Sequence, residues 1–168
     1  MENVHERHID APMETVVQLL ATLASVDDRV WPGDRWPPLR LDRGLVVGSA
    51  GGHGYVRYRV DTVERDRVAF RFDPKLHMDG THTFAIAPDG DGTRIRHTIV
   101  ATPARAMRVV WPLIIEPLHD ALTEDAFDSI ESAATGVALR RSALPLGVRM
   151  RLRLLNAVRR RPGPRAVA

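Results

Sequence analysis

The first quarter of the chain predicts a strand, a helix and an irregular segment. Asn3 to Asp10 predicts a first strand, which ends at Ala11-Pro12 because proline fits the first turn of a helix. Met13 to Ala24 predicts that helix, since apolar residues recur at helical spacing and form one buried face: Val16, Val17, Leu19, Leu20 and Leu23. Residues 25–43 contain two tryptophans and three prolines, which predicts either a broken second helix or an ordered loop.

Short strands fill the middle of the chain. We predict strands at 45–49, 54–63 and 67–73, with Glu64-Arg65-Asp66 as a short hairpin loop. The segment Gly48 to Gly54 carries four glycines and predicts a hairpin bend within a curved antiparallel sheet. A three-residue hairpin loop places one apolar set on a common face: Tyr58, Val60, Thr62, Val68, Phe70 and Phe72.

A second hairpin, with strands at 80–87 and 93–102, turns at Pro88-Asp-Gly-Asp-Gly92. If Pro88 faces Thr93, then Phe84 faces His97 and His82 faces Ile99. This register predicts that His82 and His97 lie diagonally to each other on the concave face of the sheet.

After Pro103 the pattern becomes helical. We predict an entry turn at 107–111 and a main helix at 112–135 that Pro117 kinks or loosens, with Gly136 as the C-terminal stop. One apolar side of this helix is formed by Ile115, Leu118, Leu122, Ala126, Ser129/Ile130 and Ala133. Residues 144–161 also predict a helix, although apolar and arginine residues alternate from Val148 to Leu154.

Composition narrows the class of protein. A chain of 168 residues is long enough to bury one core, and the absence of cysteine excludes disulfides, thiolate catalysis and cysteine-ligated metals. The N-terminus is charged and lacks the apolar run of a signal peptide, so we expect a cytoplasmic protein. Residues 136–168 carry nine arginines and no acidic residue, which predicts a basic tail; it is either a solvated extension or a segment that contacts an anionic surface.

Three sequence segments resemble the SRPBCC (Bet v 1/START-like helix-grip) superfamily over roughly residues 3–136. HIDAPMETV is similar to the I-D-A-P-x-E-x-V start of bacterial members, and GGHGYVRYRV is similar to the glycine-rich hairpin of plant pathogenesis-related members. WPLIIEPLHDALTEDAFDSIE resembles the terminal helix of bacterial members described as polyketide cyclase/dehydrase-like. The chain departs from the plant type by one predicted strand fewer, two prolines in the last helix and the basic tail.

The resemblance implies an α+β helix-grip fold, in which a curved antiparallel sheet of about six strands surrounds a long C-terminal helix. It implies a ligand-binding domain at 1–136, followed by the tail at 137–168, and a hydrophobic cavity between the sheet and the last helix. On the predicted faces, the residues expected to contact a guest are Tyr58, Val60, Phe70, Phe72, His82, Phe84, His97, Ile99, Trp111, Ile115, His119 and Leu122.

Motifs for other chemistries are missing from the sequence. The glycine segment matches neither GxxxxGK[ST] nor GxGxxG, which argues against nucleotide binding, and Ser49 is not in a G-x-S-x-G elbow. No HExxH or similar histidine spacing occurs, so we expect neither a metal nor a cofactor.

Three functions remain open. The first is non-covalent binding of a small hydrophobic molecule, with a neutral histidine orienting one polar group. The second is a cyclase or dehydratase in which His97 or His82 moves protons and Tyr58 donates to a developing enolate. The third is association of residues 137–168 with a membrane surface or a partner; nucleic acid is not expected, because the tail has no aromatic residue for base stacking. The oligomeric state is not predicted.

Overall fold

A seven-stranded antiparallel sheet and a long helix packed against it make up the fold. The computed structural model describes residues 1–159, with side chains described through Leu155. The strands follow the spatial order β1-β7-β6-β5-β4-β3-β2. They are β1 (Glu2–Ile9), β2 (Arg40–Leu41), β3 (Ala50–His53), β4 (Val56–Val63), β5 (Arg67–Phe72), β6 (Met78–Asp89) and β7 (Gly92–Pro103).

The helices are α1 (Met13–Leu20), α2 (Met107–Val110), α3 (Glu116–Thr135) and α4 (Leu146–Arg159), with a short 3-10 turn at Pro74–Leu76. A π-helical turn, Trp111–Ile115, joins α2 to α3, so that residues 107–135 form one continuous element, called here the long helix. The predicted α+β helix-grip architecture is confirmed.

The main core lies between the sheet, α1 and the C-terminal half of the long helix. Its fully buried members come from all three parts of the fold: Ile9, Val16, Leu20, Phe70, Ile95, Phe127 and Ile130. Burying each such side chain contributes about 1.5–3 kcal/mol relative to exposure. This end of the fold is solid, and the hollow described below lies toward the other end of the long helix.

The segment after α1 is an ordered loop, which resolves the alternative left open by the sequence. α1 ends at Leu20, earlier than predicted, and turns follow it. Asp28 then fixes the loop, because its carboxylate accepts hydrogen bonds from the backbone N–H groups of Ala24, Val30 and Trp31. Trp36 is buried against the long helix.

The strand predicted at 45–49 is wrong. Val46 and Val47 are exposed and form turns, which are held by the Ser49 hydroxyl donating to the Asp42 carboxylate at 2.7 Å. The glycine segment instead supplies strand β3, which pairs with β2 on one side and β4 on the other. The sheet therefore has one strand more than the six predicted.

The predicted hairpin registers are largely confirmed. Phe84 pairs with His97 and His82 with Ile99 in the β6–β7 ladder. In the β4–β5 ladder Tyr58 pairs with Phe72 as expected, but a bulge after Val60 shifts Thr62 opposite Ala69. Thr62 therefore leaves the predicted apolar face, because a one-residue shift reverses the side of the sheet.

The two prolines loosen the long helix without breaking it. Pro117 has no N–H to donate to the carbonyl of Leu113, and that carbonyl accepts a hydrogen bond from Nε of Arg151 at 2.8 Å. The π-helical turn contains Pro112 and ends two residues before Pro117, and such turns are a common way for a helix to adapt to an interrupted hydrogen-bond ladder. The helix ends at Gly136, with φ of 72°, as predicted.

Helix α4 folds back onto the long helix. Val148 is buried in a cluster with Trp36, Leu118 and Leu122, and Leu152 and Leu155 pack against the same cluster. The helix starts at Leu146 instead of 144, and the predicted positions 160 and 161 lie outside the described residues. Across residues 1–159, none of the helices combines the length and apolar character that a membrane span requires.

Candidate functional site

A cavity of about 390 Å³ lies between the concave face of the sheet and the first half of the long helix. The loop before β2, the β3–β4 turn and α4 close its other sides. Its size falls within the range of small-molecule sites, and most of its wall is apolar. A separate depression beside α1, about 470 Å³ and lined partly by Thr15, Gln18 and Asp27, lies away from the histidines.

Most of the residues expected to contact a guest line this cavity. From the sheet they are Phe72, His82, Phe84, His97 and Ile99, and from the long helix Trp111, Ile115, His119 and Leu122. Tyr58, Val60 and Phe70 do not line it: they are buried in the main core. These three residues lie too far along their strands to reach the cavity. The main core packs against the sheet around Phe70, and the cavity begins only at Phe72.

Sequence reasoning missed the lining residues that come from the loops and the tail, and several more from the strands and the long helix. The missed lining residues are Trp31, Trp36, Pro37, His53, Gly54, Tyr55, Val56, Leu76, Met78, Met107, Val110, Ile114, Leu118, Thr123, Ala126, Leu152 and Leu155. A signal existed for Leu118 and Ala126, which lie on the apolar side predicted for the helix, and for Leu152 and Leu155, which follow Val148 at helical spacing. None existed for His53, because its place depends on strand β3, which the pattern did not reveal.

Three histidines form a row along the cavity wall. The Nδ1 atom of His82 lies 3.4 Å from Nε2 of His97, which confirms the diagonal approach expected from the register. The rings of His97 and His119 follow, with centroids 5.0 Å apart. On the next turn of the long helix, Nε2 of His119 lies 3.4 Å from the hydroxyl of Thr123.

Aromatic rings surround the first two histidines. His82 stacks between Phe70 and Phe72, with ring centroids 4.8 and 5.2 Å away, and Tyr58 meets it edge-on. Phe84 lies edge-on to His97 at 4.4 Å. These contacts hold both imidazoles in fixed orientations beside the hollow.

Burial keeps the cavity histidines neutral at neutral pH. It lowers the pKa of both His82 and His97 well below the ordinary 6.5, with the neighbouring His119 contributing in the same direction. Burial also lowers the pKa of His53 to about 3. Burial raises the pKa of Tyr58, so its hydroxyl stays protonated. Neutral imidazole offers one donor and one acceptor, which suits recognition of a hydroxyl or carbonyl.

Buried ring nitrogens of both sheet histidines have no hydrogen-bond partner among the described residues: Nε2 of His82 and Nδ1 of His97. His97 is only 3% exposed. Unpaired buried polar atoms are costly and uncommon in folded proteins. The site therefore has unused hydrogen-bonding capacity next to an apolar hollow.

Asp125 fixes the wall opposite the sheet. Its buried carboxylate accepts hydrogen bonds from Nε1 of Trp36 at 2.7 Å and from Nη1 of Arg35 at 2.8 Å. Arg35 also donates to the carbonyl of Ser142 at 3.0 Å, at the beginning of the tail. One carboxylate of the long helix thereby positions the Trp36 loop and, through Arg35, the tail.

Solved structures provide the comparison with known proteins. No protein-family model matches the chain. No curated protein matches it. A crystal structure of CalU16 from Micromonospora echinospora is similar with a TM-score of 0.58 and 15% identity, covering 95% of this chain and 89% of CalU16.

Two further structures show the same architecture. A solution structure of a Thermobifida fusca protein has a TM-score of 0.61 and 13% identity, covering 84% of this chain and 97% of that one. KanY has a TM-score of 0.60 and 14% identity, covering 81% of this chain and 98% of KanY. Together with the antiparallel sheet closed over the long helix, these likenesses confirm that the chain has a helix-grip fold.

Proposed function

We propose that this protein binds a small, mainly hydrophobic molecule, with one polar group of the guest directed at His82, His97 and His119. The observation that carries the proposal is the apolar cavity of about 390 Å³ whose wall contains a row of buried, neutral imidazoles. A largely apolar hollow with a few convergent polar groups is the usual form of a ligand site.

The apolar and polar parts of the cavity wall suit different parts of such a guest. Phe72 and Ile99 on the sheet face Trp111 and Ile115 on the helix, and these side chains form an apolar cluster suited to a ring or chain. A hydroxyl or carbonyl directed at the imidazoles would use their free hydrogen-bonding capacity. We therefore infer a lipid-like, polyketide-like or aromatic guest with a single polar end.

Native mass spectrometry of the purified protein tests this proposal most directly. We expect a mass above that of the chain, and extraction with organic solvent should release one hydrophobic compound containing a hydroxyl or carbonyl group. Protein that carries no guest and binds none from a panel of fatty acids, sterols and polyketide aromatics would contradict it.

Replacing His97 tests the polar end of the site. His97→Phe keeps a ring of similar size but removes both nitrogens, so we expect weaker binding of the extracted guest by about tenfold, as for loss of one or two hydrogen bonds. The matched control is Thr98→Ala, which changes the next residue on the opposite face of β7. Equal affinity for all three proteins would leave His97 with a packing role only.

The cyclase or dehydratase alternative keeps part of its geometric support. His82 and His97 are adjacent and neutral, as a general base must be. Tyr58 does not line the cavity, so the proposed donation from Tyr58 to an enolate lacks a direct path. Incubating the extracted guest or its open-chain precursors with the protein separates the two functions: loss of one water by mass spectrometry, abolished in His97→Phe, would indicate the enzyme.

A second function is favoured by the outer face of α4. Leu146, Met150 and Leu154 recur at four-residue intervals and are each more than half exposed, and Val109 and Leu113 of the long helix are similarly exposed. The Nε atom of Arg151 donates a hydrogen bond to the Leu113 carbonyl, and this contact places α4 beside the long helix. Because exposed Arg149 and Arg153 flank this apolar surface, we propose that α4 contacts an anionic membrane beside the cavity.

Vesicle flotation tests the α4 surface. The wild-type chain should float with vesicles containing phosphatidylserine and not with neutral vesicles, because arginine supplies an electrostatic attraction. The triple change Leu146→Gln, Met150→Gln and Leu154→Gln should abolish flotation, while Val137→Gln and Leu139→Gln, which are exposed but precede α4, should not. Unchanged flotation of the triple variant would contradict this role.

A further inference from the structure

On the outer side of the cavity wall, strand β1 and the long helix bring together two histidines and a carboxylate. Nε2 of His5 lies 3.0 Å from Oδ1 of Asp120, and Nδ1 of His119 lies 3.8 Å from the same oxygen. One donor atom from each of the three residues lies within 4.8 Å of the other two. This group is distinct from the guest site, because it uses the edge of His119 that faces β1.

Second, Nδ1 of His119, a buried atom of this group, has no hydrogen-bond partner among the described residues. The side-chain oxygen of the neighbouring Asn3 has none either. Asn3 also donates from Nδ2 to Oδ1 of Asp120 at 2.9 Å. Unpaired lone pairs at the same place as an imidazole and a carboxylate are what a cation site requires.

Third, His5 is held between two carboxylates. Its Nδ1 lies 2.9 Å from Oε1 of Glu124, and its Nε2 faces Asp120. When Nδ1–H donates to Glu124, the Nε2 lone pair points at a carboxylate oxygen, and this contact is repulsive unless a cation or a proton lies between them. A carboxylate that orients a histidine in this way is the usual support of a metal ligand.

From these three observations we infer that the protein binds one Zn²⁺ ion through Nε2 of His5, Nδ1 of His119 and Oδ1 of Asp120, with Glu124 orienting His5. Zn–N and Zn–O bonds of about 2.0–2.2 Å in a tetrahedron separate donor atoms by about 3.3–3.5 Å. The observed 3.0 and 3.8 Å lie on either side of that value, so small side-chain rotations complete the site. Solvent or another oxygen donor takes the fourth position.

No sequence motif predicts this site, because His5 is more than a hundred positions away from His119 and Asp120 in the chain. His119 and Asp120 are neighbours in the chain, and His5 reaches them only because β1 is the strand at that edge of the sheet and packs beside the long helix. The expectation of no metal rested on ligand spacing within one segment, which does not test such a site.

The site would act on the guest cavity through His119. A metal on Nδ1 leaves the proton on Nε2, and Nε2 lies on the side of Thr123, a residue of the cavity wall. Zn²⁺ would thus fix His119 as a hydrogen-bond donor toward the cavity. This consequence rests on the proposed guest site, but the metal site itself does not.

Zn²⁺ titration of the full-length, tag-free protein after chelator treatment tests the inference. Isothermal calorimetry at pH 7.5 should show one tight equivalent of Zn²⁺, and Co²⁺ should give the visible absorption of a low-symmetry, four- or five-coordinate site. His5→Ala and Asp120→Asn should each lower the affinity for Zn²⁺ by at least about 100-fold. This is more than the loss expected when a residue that only orients a metal ligand is removed. Circular dichroism establishes that the variants are folded.

The matched control is His8→Ala. His8 lies on the same strand and contacts a carboxylate, with Nδ1 3.0 Å from Asp89, but no third ligand joins it within the described residues. We expect His8→Ala to bind one Zn²⁺ ion as tightly as the wild type does. If wild type binds Zn²⁺ no more tightly than His5→Ala does, the contacts of His5 with Asp120 and Glu124 serve only to join β1 to the long helix, and the inference is overturned. Because the guest cavity and its binding assays do not depend on Zn²⁺, this result would leave the proposed function untouched.

Discussion

At the scale of single residues, the cavity histidines are polar groups placed in apolar surroundings. His82 is stacked between two phenylalanines, and His53 packs against Trp31 with ring centroids 4.7 Å apart. Such surroundings disfavour the charged imidazolium, which is why the pKa of each is lowered. Protonating them must therefore oppose folding.

The sign of this coupling predicts how stability depends on pH. In the unfolded chain these imidazoles bind protons below about pH 6.5, whereas His53 in the folded protein binds one only near pH 3. The free energy of unfolding should accordingly be highest above pH 6.5 and fall as the pH is lowered toward 3. His53→Phe should reduce this slope by up to about 1.4 kcal/mol per pH unit.

Urea denaturation at pH 4.5, 5.5 and 7, with a chelator present, measures the slope. Ile99→Val is the control: it removes a methylene from the same cavity wall and should lower the free energy of unfolding by about 1 kcal/mol at every pH. An identical slope for wild type and His53→Phe would show that His53 is protonated to the same extent in both states.

The buried carboxylate of Asp125 accepts hydrogen bonds from Arg35 and Trp36, and Nε of Arg141 lies 4.0 Å from it. Asp125→Ala leaves the Trp36 indole N–H without its acceptor and the Arg35 guanidinium without its carboxylate, and we expect a loss of about 3 kcal/mol or more in the free energy of unfolding. Asp27→Ala should change it by less than about 0.5 kcal/mol, since that carboxylate has no hydrogen bond or ion pair with the side chains described through Leu155. Denaturation followed by tryptophan fluorescence compares the two; equal effects would contradict the anchoring role.

Some site residues could be placed from the sequence and others could not. His82 and His97 were placed correctly because the Asp-Gly-Asp-Gly turn fixes the register of the β6–β7 hairpin, and register determines the face of each side chain. Tyr58 and Phe70 were assigned to the right face of the sheet but to the wrong end of it. Alternation defines a face, while the boundary between solid core and hollow depends on how α1 and the long helix pack.

At the scale of elements, the β3 segment shows what glycine permits. A Cβ on Gly51 would lie 1.9 Å from the carbonyl oxygen of Arg40, and one on Gly52 would lie 2.0 Å from that of Val56. Only glycine allows β2, β3 and β4 to approach so closely, and Gly52 also has φ of 149°. The sequence pattern correctly suggested a special hairpin here, but two consecutive glycines concealed the strand because they carry no apolar alternation.

Gly52→Ala should disrupt this edge of the sheet. We expect a loss of more than about 1 kcal/mol in the free energy of unfolding, together with weaker guest binding, because the adjacent His53 lines the cavity. Gly33→Ala is the matched control: its Cβ would come no closer than 3.9 Å to the nearest atom, Cδ1 of Trp31. Thermal denaturation measures both variants, and equal melting temperatures would contradict the close approach at β3.

The long helix also shows the limit of pattern reasoning. Two prolines predicted a separate entry turn and a kinked main helix, but residues 107–135 are continuous. The π-helical turn accommodates the two prolines, which have no N–H to donate. Arg151 of α4 donates a hydrogen bond to the Leu113 carbonyl, which Pro117 leaves without its usual partner. Compensation by a distant helix is a tertiary effect that no local signal contains.

At the scale of the whole molecule, one helix-grip sheet supports both a solid core and a hollow. The core packs around Phe70 and Phe127, whereas the space beside Phe72 and Trp111 is closed by the Trp36 loop and α4. Leu152 and Leu155 of the tail belong to the cavity wall, so we propose that the guest-binding unit extends beyond residue 136. The cavity, the proposed membrane surface and the proposed Zn²⁺ site all meet along the long helix.

A cavity-filling substitution tests the central claim, that the guest occupies this hollow. Ile115 points into the cavity, and Leu113, two residues earlier in the same π-helical turn, is 59% exposed. We expect Ile115→Trp to fold but to lose binding of a hydrophobic fluorescent probe and of the extracted guest by at least about tenfold, because added volume in a packed site competes with the ligand. Leu113→Trp should bind both like the wild type; equal binding by Ile115→Trp and Leu113→Trp would show that the guest lies elsewhere.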